Sequence, residues 1–110
     1  MAQPTNTPFQ IVAMTGVATT SKTAFTNPLS VPARSATIYN NDSSAAITVA
    51  TDSTGSPSVT VAHGASFTFT STSVVLNATN GTNVNGFASG ATMFNVSGNV
   101  TAQPTVVVSA

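Results

Sequence analysis

The segment Ser66-Phe67-Thr68-Phe69-Thr70 alternates large apolar and hydroxyl side chains without a fault. Successive side chains of an extended strand point to opposite faces, so this run puts both rings on one side and the hydroxyls on the other. The same two-residue period recurs along the chain, carried by Val, Ile and Thr, whose branched Cβ favours strands over helices. Good helix formers are scarce, Glu is absent, and no stretch repeats apolar residues at i, i+3, i+4 and i+7. The chain is expected to be all-β.

Eight segments carry the pattern. Residues 9–15 place Phe9, Ile11 and Ala13 on one face, and 34–40 set Ala36 and Ile38 opposite Thr37 and Tyr39. Residues 45–51 turn Ile47 and Val49 inward and Thr48 and Ala50 outward, while 57–62 oppose Val59 and Val61 to Ser58 and Thr60. Then come 66–71 with its two phenylalanines, 73–79 with Val74, Leu76 and Ala78, 91–97 with Phe94 and Val96, and the valine-rich 104–109. Turn chemistry falls between them at Asn40 to Ser44, Asp52 to Pro57, His63-Gly64, Asn80-Gly81 and Gly98-Asn99. Thr82 to Gly90 is rich in Gly and Asn and is expected to be a long loop. Seven or eight short strands, spaced by roughly 8–12 residues, predict a small antiparallel β-sandwich, jelly-roll-like, or a partly closed barrel.

A chain of 110 residues is enough for one domain with a thin core. Residues 34–110 are expected to form the sandwich. Residues 1–33, interrupted by Pro4, Pro8, Pro28 and Pro32, are expected either as an arm lying on a neighbouring subunit or as an edge strand with loops. No internal repeat is recognised.

Charge then narrows the function. Lys22, Arg34, Asp42 and Asp52 are the only formal charges, 4% of the chain, against about 25% in an ordinary soluble domain. Two cations cannot neutralise a run of phosphates, which argues against nucleic-acid binding. No apolar run reaches the roughly 18 residues of a membrane helix. The first basic residue is Lys22, so no secretion leader is expected and synthesis is assigned to the cytoplasm. With no cysteine there are no disulfides. Hydrophobic residues at 41% with zero net charge oppose disorder. The polar surface must be Thr, Ser, Asn and Gln, which is wettable yet easily desolvated, and so suited to permanent packing against other subunits. The competing explanation is a secreted or thermally selected surface with few charges.

Residues for chemistry are few. His63, the only histidine, stands at a turn, and no serine lies in a Gly-x-Ser-x-Gly frame. Asp42 and Asp52 both fall in turn clusters, where capping a turn is their ordinary use. No catalytic, cofactor-binding or metal-binding residue is assigned, and the chain is not expected to be an enzyme. The triplets Asn-x-Ser/Thr at Asn41, Asn77, Asn80, Asn95 and Asn99 follow from composition. Tyr39 is the single tyrosine, and Phe87, inside the Gly/Asn-rich stretch, is the one phenylalanine expected to be an exposed anchor for a partner.

Within residues 34–79, "ATIYNNDSSAAITVATD" followed by "SVTVAHGASFTFTSTSVVLNAT" resembles the small β-sandwich virion proteins of tailed bacteriophages. An extended strand runs into Asn-rich turn residues, then an Ile/Val strand, a Gly- and Pro-bearing loop, a strand opening after His63-Gly64, and a Val-rich strand. Such proteins serve as capsid decoration (cement) proteins, minor tail proteins or fibre modules. The pattern has no invariant motif, leaves the first 33 and last 30 residues unmatched, and transfers no functional residue. The resemblance implies a structural protein on the capsid surface of a virion, most of all a decoration protein that binds and stabilises the major capsid shell. It would be a homo-oligomer, a trimer being the form expected. A tail, neck or fibre component with receptor or carbohydrate contact is the alternative, and a free carbohydrate-binding or adhesin module comes after it.

Overall fold

The computed structural model describes residues 9–17, 19, 22–51, 57–70, 74–77, 82–85 and 87–110, with backbone alone for 74–77 and 82–85. Among these residues ten strands run in chain order: β1 Phe9–Ala13, β2 Thr23–Thr26, β3 Ser35–Tyr39, β4 Ile47–Ala50, β5 Ser58–Val61, β6 Ser66–Thr70, β7 Val74–Asn77, β8 Thr82–Asn85, β9 Thr92–Ser97 and β10 Thr105–Ser109. Among the described residues there is no helix. One antiparallel sheet has the order β1-β10-β3-β6 and the other β2-β9-β4-β5, while β7 and β8 form a two-stranded sheet with each other.

The pairings are nested. β1 pairs β10, β2 pairs β9, β3 pairs β6 and β4 pairs β5, as in one long hairpin ribbon folded back on itself. The ribbon then rolls up, so that β10 also meets β3 and β9 meets β4. That is the strand order of a jelly roll, with the β7–β8 hairpin inserted between β6 and β9. The β-sandwich follows from the alternation, and it is the sandwich form rather than the barrel: β1, β6, β2 and β5 end their sheets.

The apolar positions meet where the alternation places them. Val106, Val108, Ala36 and Ile38 of the first sheet face Phe94, Val96, Ile47 and Val49 of the second, all buried. Phe94 is the hub. Its ring stacks on Phe25 at 5.0 Å and on Phe69 at 4.6 Å, and Phe67 meets Phe69 edge-on at 4.9 Å. Each such pair adds about 0.5–1.5 kcal/mol beyond burial. Beside this core Gly98 is obligatory, since a Cβ there would lie 2.9 Å from the Ala46 carbonyl oxygen.

Two expectations need correction. Thr82 to Gly90 is not simply a loop: it holds β8, and Phe87 exchanges backbone hydrogen bonds of 2.7 and 2.8 Å with Ala33. The Asn-rich β8 has poor strand propensity, and pairing with β7 decides its conformation. Nor is Phe87 a free anchor, because it is half-buried and packed against the core. The strand β2 was not expected either, since Thr23–Thr26 offers only one large apolar side chain, Phe25.

The repeat that composition hides lies at the corners. Asn27 follows β2 and Asn40 follows β3, and both are buried. Each accepts at Oδ1 from the N–H two residues on, Leu29 at 2.9 Å and Asp42 at 3.1 Å. Each donates from Nδ2 to two carbonyls, Val31 and Phe87 for Asn27, Ala45 and Val61 for Asn40, all at 2.9–3.0 Å. Each backbone then pairs with a turn of sequence Ala-x-Gly-Ala, 88–91 or 62–65. Those turns close between their terminal alanines at 3.0 Å, and Gly90 and Gly64 take the positive φ, 80° and 75°, that a type II turn needs at its third residue. The two asparagines thus satisfy otherwise orphaned carbonyls at equivalent corners of the roll.

Candidate functional site

Register fixes what the first sheet presents to water. Its inner rows run Gln10-Val108-Ala36-Phe69 and Val12-Val106-Ile38-Phe67. The outer rows therefore run Phe9-Ser109-Ser35-Thr70, Ile11-Val107-Thr37-Thr68 and Ala13-Thr105-Tyr39-Ser66. All of these positions are exposed or half-buried, and none carries a formal charge. Seven are Ser or Thr, and the remainder are Phe9, Ile11, Ala13, Val107 and Tyr39, so apolar side chains gather at the β1 edge and hydroxyls at β6. Thr37 and Thr68 bond to each other across the strands at 2.9 Å, which leaves fewer hydroxyl sites held by water.

The second sheet is different. On its outer face Met93, Asn95, Ser97 and Ala50 are buried, and Lys22 reaches over to donate from Nζ to Ser97 at 2.8 Å. One of the two cations is spent there inside the fold. Arg34 is exposed, at the end of the first sheet, where its backbone N–H binds the Ser109 carbonyl.

The loops that frame the open face are clasped by Asp42. Its Oδ1 accepts from Thr101 at 2.7 Å and Ala102 at 3.0 Å, and its Oδ2 from Ser44 at 3.1 Å and Ala45 at 2.8 Å. These backbone N–H groups, Ala102 and Ala45 foremost, hold the carboxyl far below the ordinary carboxylate range and outweigh the desolvation that opposes them. Asn41 adds bonds to the Gln103 carbonyl at 3.1 Å and to Thr105 Oγ1 at 2.8 Å. The Asn40-Asn41-Asp42 cluster, expected as a simple turn, is a clasp that joins the loops β3–β4, β5–β6 and β9–β10. Its function is to hold the sheet ends rigid.

The sequence singled out three other positions. His63 is exposed, the second residue of the turn before β6. Asp52 lies outside the described residues. Tyr39 is 43% exposed in the outer row that also holds Thr105 and Ser66. No hydrogen bond joins the side chains of Asp42, His63 and Tyr39 among the described residues, and no three of His, Asp or Glu there gather as a metal cluster. Sequence reasoning missed Asn27 as the twin of Asn40, although the recurrence of Ala-x-Gly-Ala at 62–65 and 88–91 was a signal that could have revealed it. Beside the open face, the gap between the edge strands β5 and β6 forms an apolar groove of about 330 Å³, lined chiefly by Val49, Val59, Phe67 and Phe69.

No protein-family model, curated protein or solved structure matches the chain.

Proposed function

We propose that the chain is a non-enzymatic structural protein of a tailed-phage virion, a capsid decoration protein that binds the major capsid protein and stabilises the shell. The observation that carries this is the outer face of the β1-β10-β3-β6 sheet: open, continuous and without a charged side chain. Solitary sheet proteins keep copies apart with surface charge and guard their edges with lysine. Here net charge is zero and one of the two cations is bonded to Ser97. Such a face loses little on desolvation, and many weak contacts across a lattice make the bound state tight. The jelly roll adds support by analogy of fold alone, since viral capsid domains use it.

Lectin domains use the same architecture, and Tyr39, exposed among hydroxyl groups, favours a second reading as a tail, neck or fibre component with carbohydrate contact. Stoichiometry separates the two. Quantitative gel densitometry or mass spectrometry of purified particles is expected to find this chain at a copy number comparable to the major capsid protein. A handful of copies per particle assigns it to the tail, and absence from particles refutes both. Binding to the shell is expected to survive rising ionic strength, because screening has no charge on this face to act upon.

A further inference from the structure

An unpaired strand edge templates pairing with another chain unless something blocks it, and among the described residues three of the four edges of the two four-stranded sheets are irregular or polar. β2 has a register shift at Phe25/Thr26 and lies between Lys22 and Pro28. β5 turns only Ser58 and Thr60 outward. β6 turns only Ser66, Thr68 and Thr70 outward. β1 is unlike them. Pro8 directly precedes it, but its register with β10 is unbroken from Phe9 to Ala13, the strand itself contains neither charge nor proline, and its outward Phe9 and Ile11 are 66% and 63% exposed.

We propose that β1 docks antiparallel on β1 of a second copy of this chain about a two-fold axis, joining the two four-stranded sheets into one continuous sheet. This deepens the structural role proposed above and rests on it only in that the chain self-associates. The occupant is a second copy because the strand is complementary to itself. Pairing centred on Ile11 sets that residue against its own equivalent and Phe9 against Ala13 of the second copy, large against small. Positions two apart share a face, so Phe9, Ile11 and Ala13 of both copies stay on the same outer surface. An isologous interface demands such self-complementarity. Zero net charge leaves no long-range repulsion between copies. A cleft of about 250 Å³ lies beside this edge, between β1 and β2, lined by Val12, Met14, Phe25 and Pro28 among others. A two-fold strand pairing closes with two copies, a dimer in place of the trimer expected from the resemblance. Five-residue edges fall below the area of a standard interface, so the free dimer is weak and its population depends on concentration.

The chain has no cysteine, so Ile11→Cys introduces a single thiol at the two-fold axis. Opposed Cβ atoms on paired strands are about 4.5–5.5 Å apart, and copper-phenanthroline oxidation is expected to link two copies covalently. Thr68→Cys, at the far edge of the same face, is expected to link slower by about tenfold or more. Sedimentation equilibrium of the unaltered chain is expected to give a monomer–dimer equilibrium that Ile11→Lys weakens by about tenfold or more, with unchanged circular dichroism. Equal oxidation rates at the two cysteines, a monomer at every concentration, or undiminished dimerisation of Ile11→Lys overturns the inference. If Ile11→Lys fails to fold, the paired cysteine rates decide it. A β1-linked dimer that is absent from particles overturns the virion role and leaves the inference standing; a chain abundant in particles but monomeric and slow to link through Ile11→Cys does the reverse.

Discussion

Replacing Asn40 by alanine tests the corner device and, with it, the reason the sheet ends are rigid. The side chain is 1% exposed and makes three hydrogen bonds, donating to the Ala45 and Val61 carbonyls and accepting from the Asp42 N–H. A buried hydrogen bond contributes about 1 kcal/mol net, and each group left unsatisfied costs about 1–3 kcal/mol. Three at the low end give a loss of about 3–4 kcal/mol. In a domain of this size each kcal/mol lowers Tm by about 4–8 °C, so a fall of about 12–30 °C is expected by differential scanning calorimetry or urea melts. Asn27→Ala is expected to cost the same to within about 1 kcal/mol, because its three bonds are the same in kind. Asn41→Ala, exposed and only tying a loop, is expected to cost less than about 1 kcal/mol. A loss below about 1 kcal/mol at Asn40, or equal losses at Asn40 and Asn41, refutes the reasoning.

Phe94→Ala removes the ring at the centre of the aromatic stack and is expected to lower stability by about 3–5 kcal/mol in the same assay. Gly98→Ala drives a Cβ against the Ala46 carbonyl, a backbone atom that cannot swing aside, and is expected to cost about 1–3 kcal/mol despite adding only a methyl group. Asp42 makes stability depend on acid. Its folded pKa lies below the unfolded value, so its contribution is complete above about pH 4 and is lost progressively as the pH falls below that. Asp42→Asn is expected to melt lower at neutral pH and to flatten the acid limb of the Tm–pH curve, and an unchanged limb contradicts the assignment.

The fold was legible where alternation was strict. Phe67 and Phe69, and Ile47 and Val49, turn inward as their two-residue period requires, whereas in the valine run 106–108 only the register with β3 shows that Val106 and Val108 face the core. It was illegible where a strand depends on its partner more than on itself: β2 has one large apolar residue and β8 none of the usual strand formers besides Thr82 and Val84. The outer face was half legible. Phe9, Ile11 and Ala13 do share a face, but β1 also offers Val12, and only its register with Val106 tells which side meets the core. Asn40 and Asp42 read as turn formers because local sequence cannot show that their partners are 21 and 59 residues away. Phe87 fails for a related reason. Its Gly- and Asn-rich neighbours suggest exposure, whereas its contact with Ala33 comes from the far side of the ribbon.

Charging the open face tests the account most directly. The double substitution Thr37→Lys with Thr68→Lys replaces the bonded hydroxyl pair that spans β3 and β6 on the outer face, away from the core and from β1. The variant is expected to fold and to stay soluble, while its incorporation into particles, measured as copies per major capsid protein, falls by about tenfold or more against the unaltered chain supplied in parallel. Incorporation at the unaltered level contradicts the account, because a face that tolerates two buried charges is not covered by a partner.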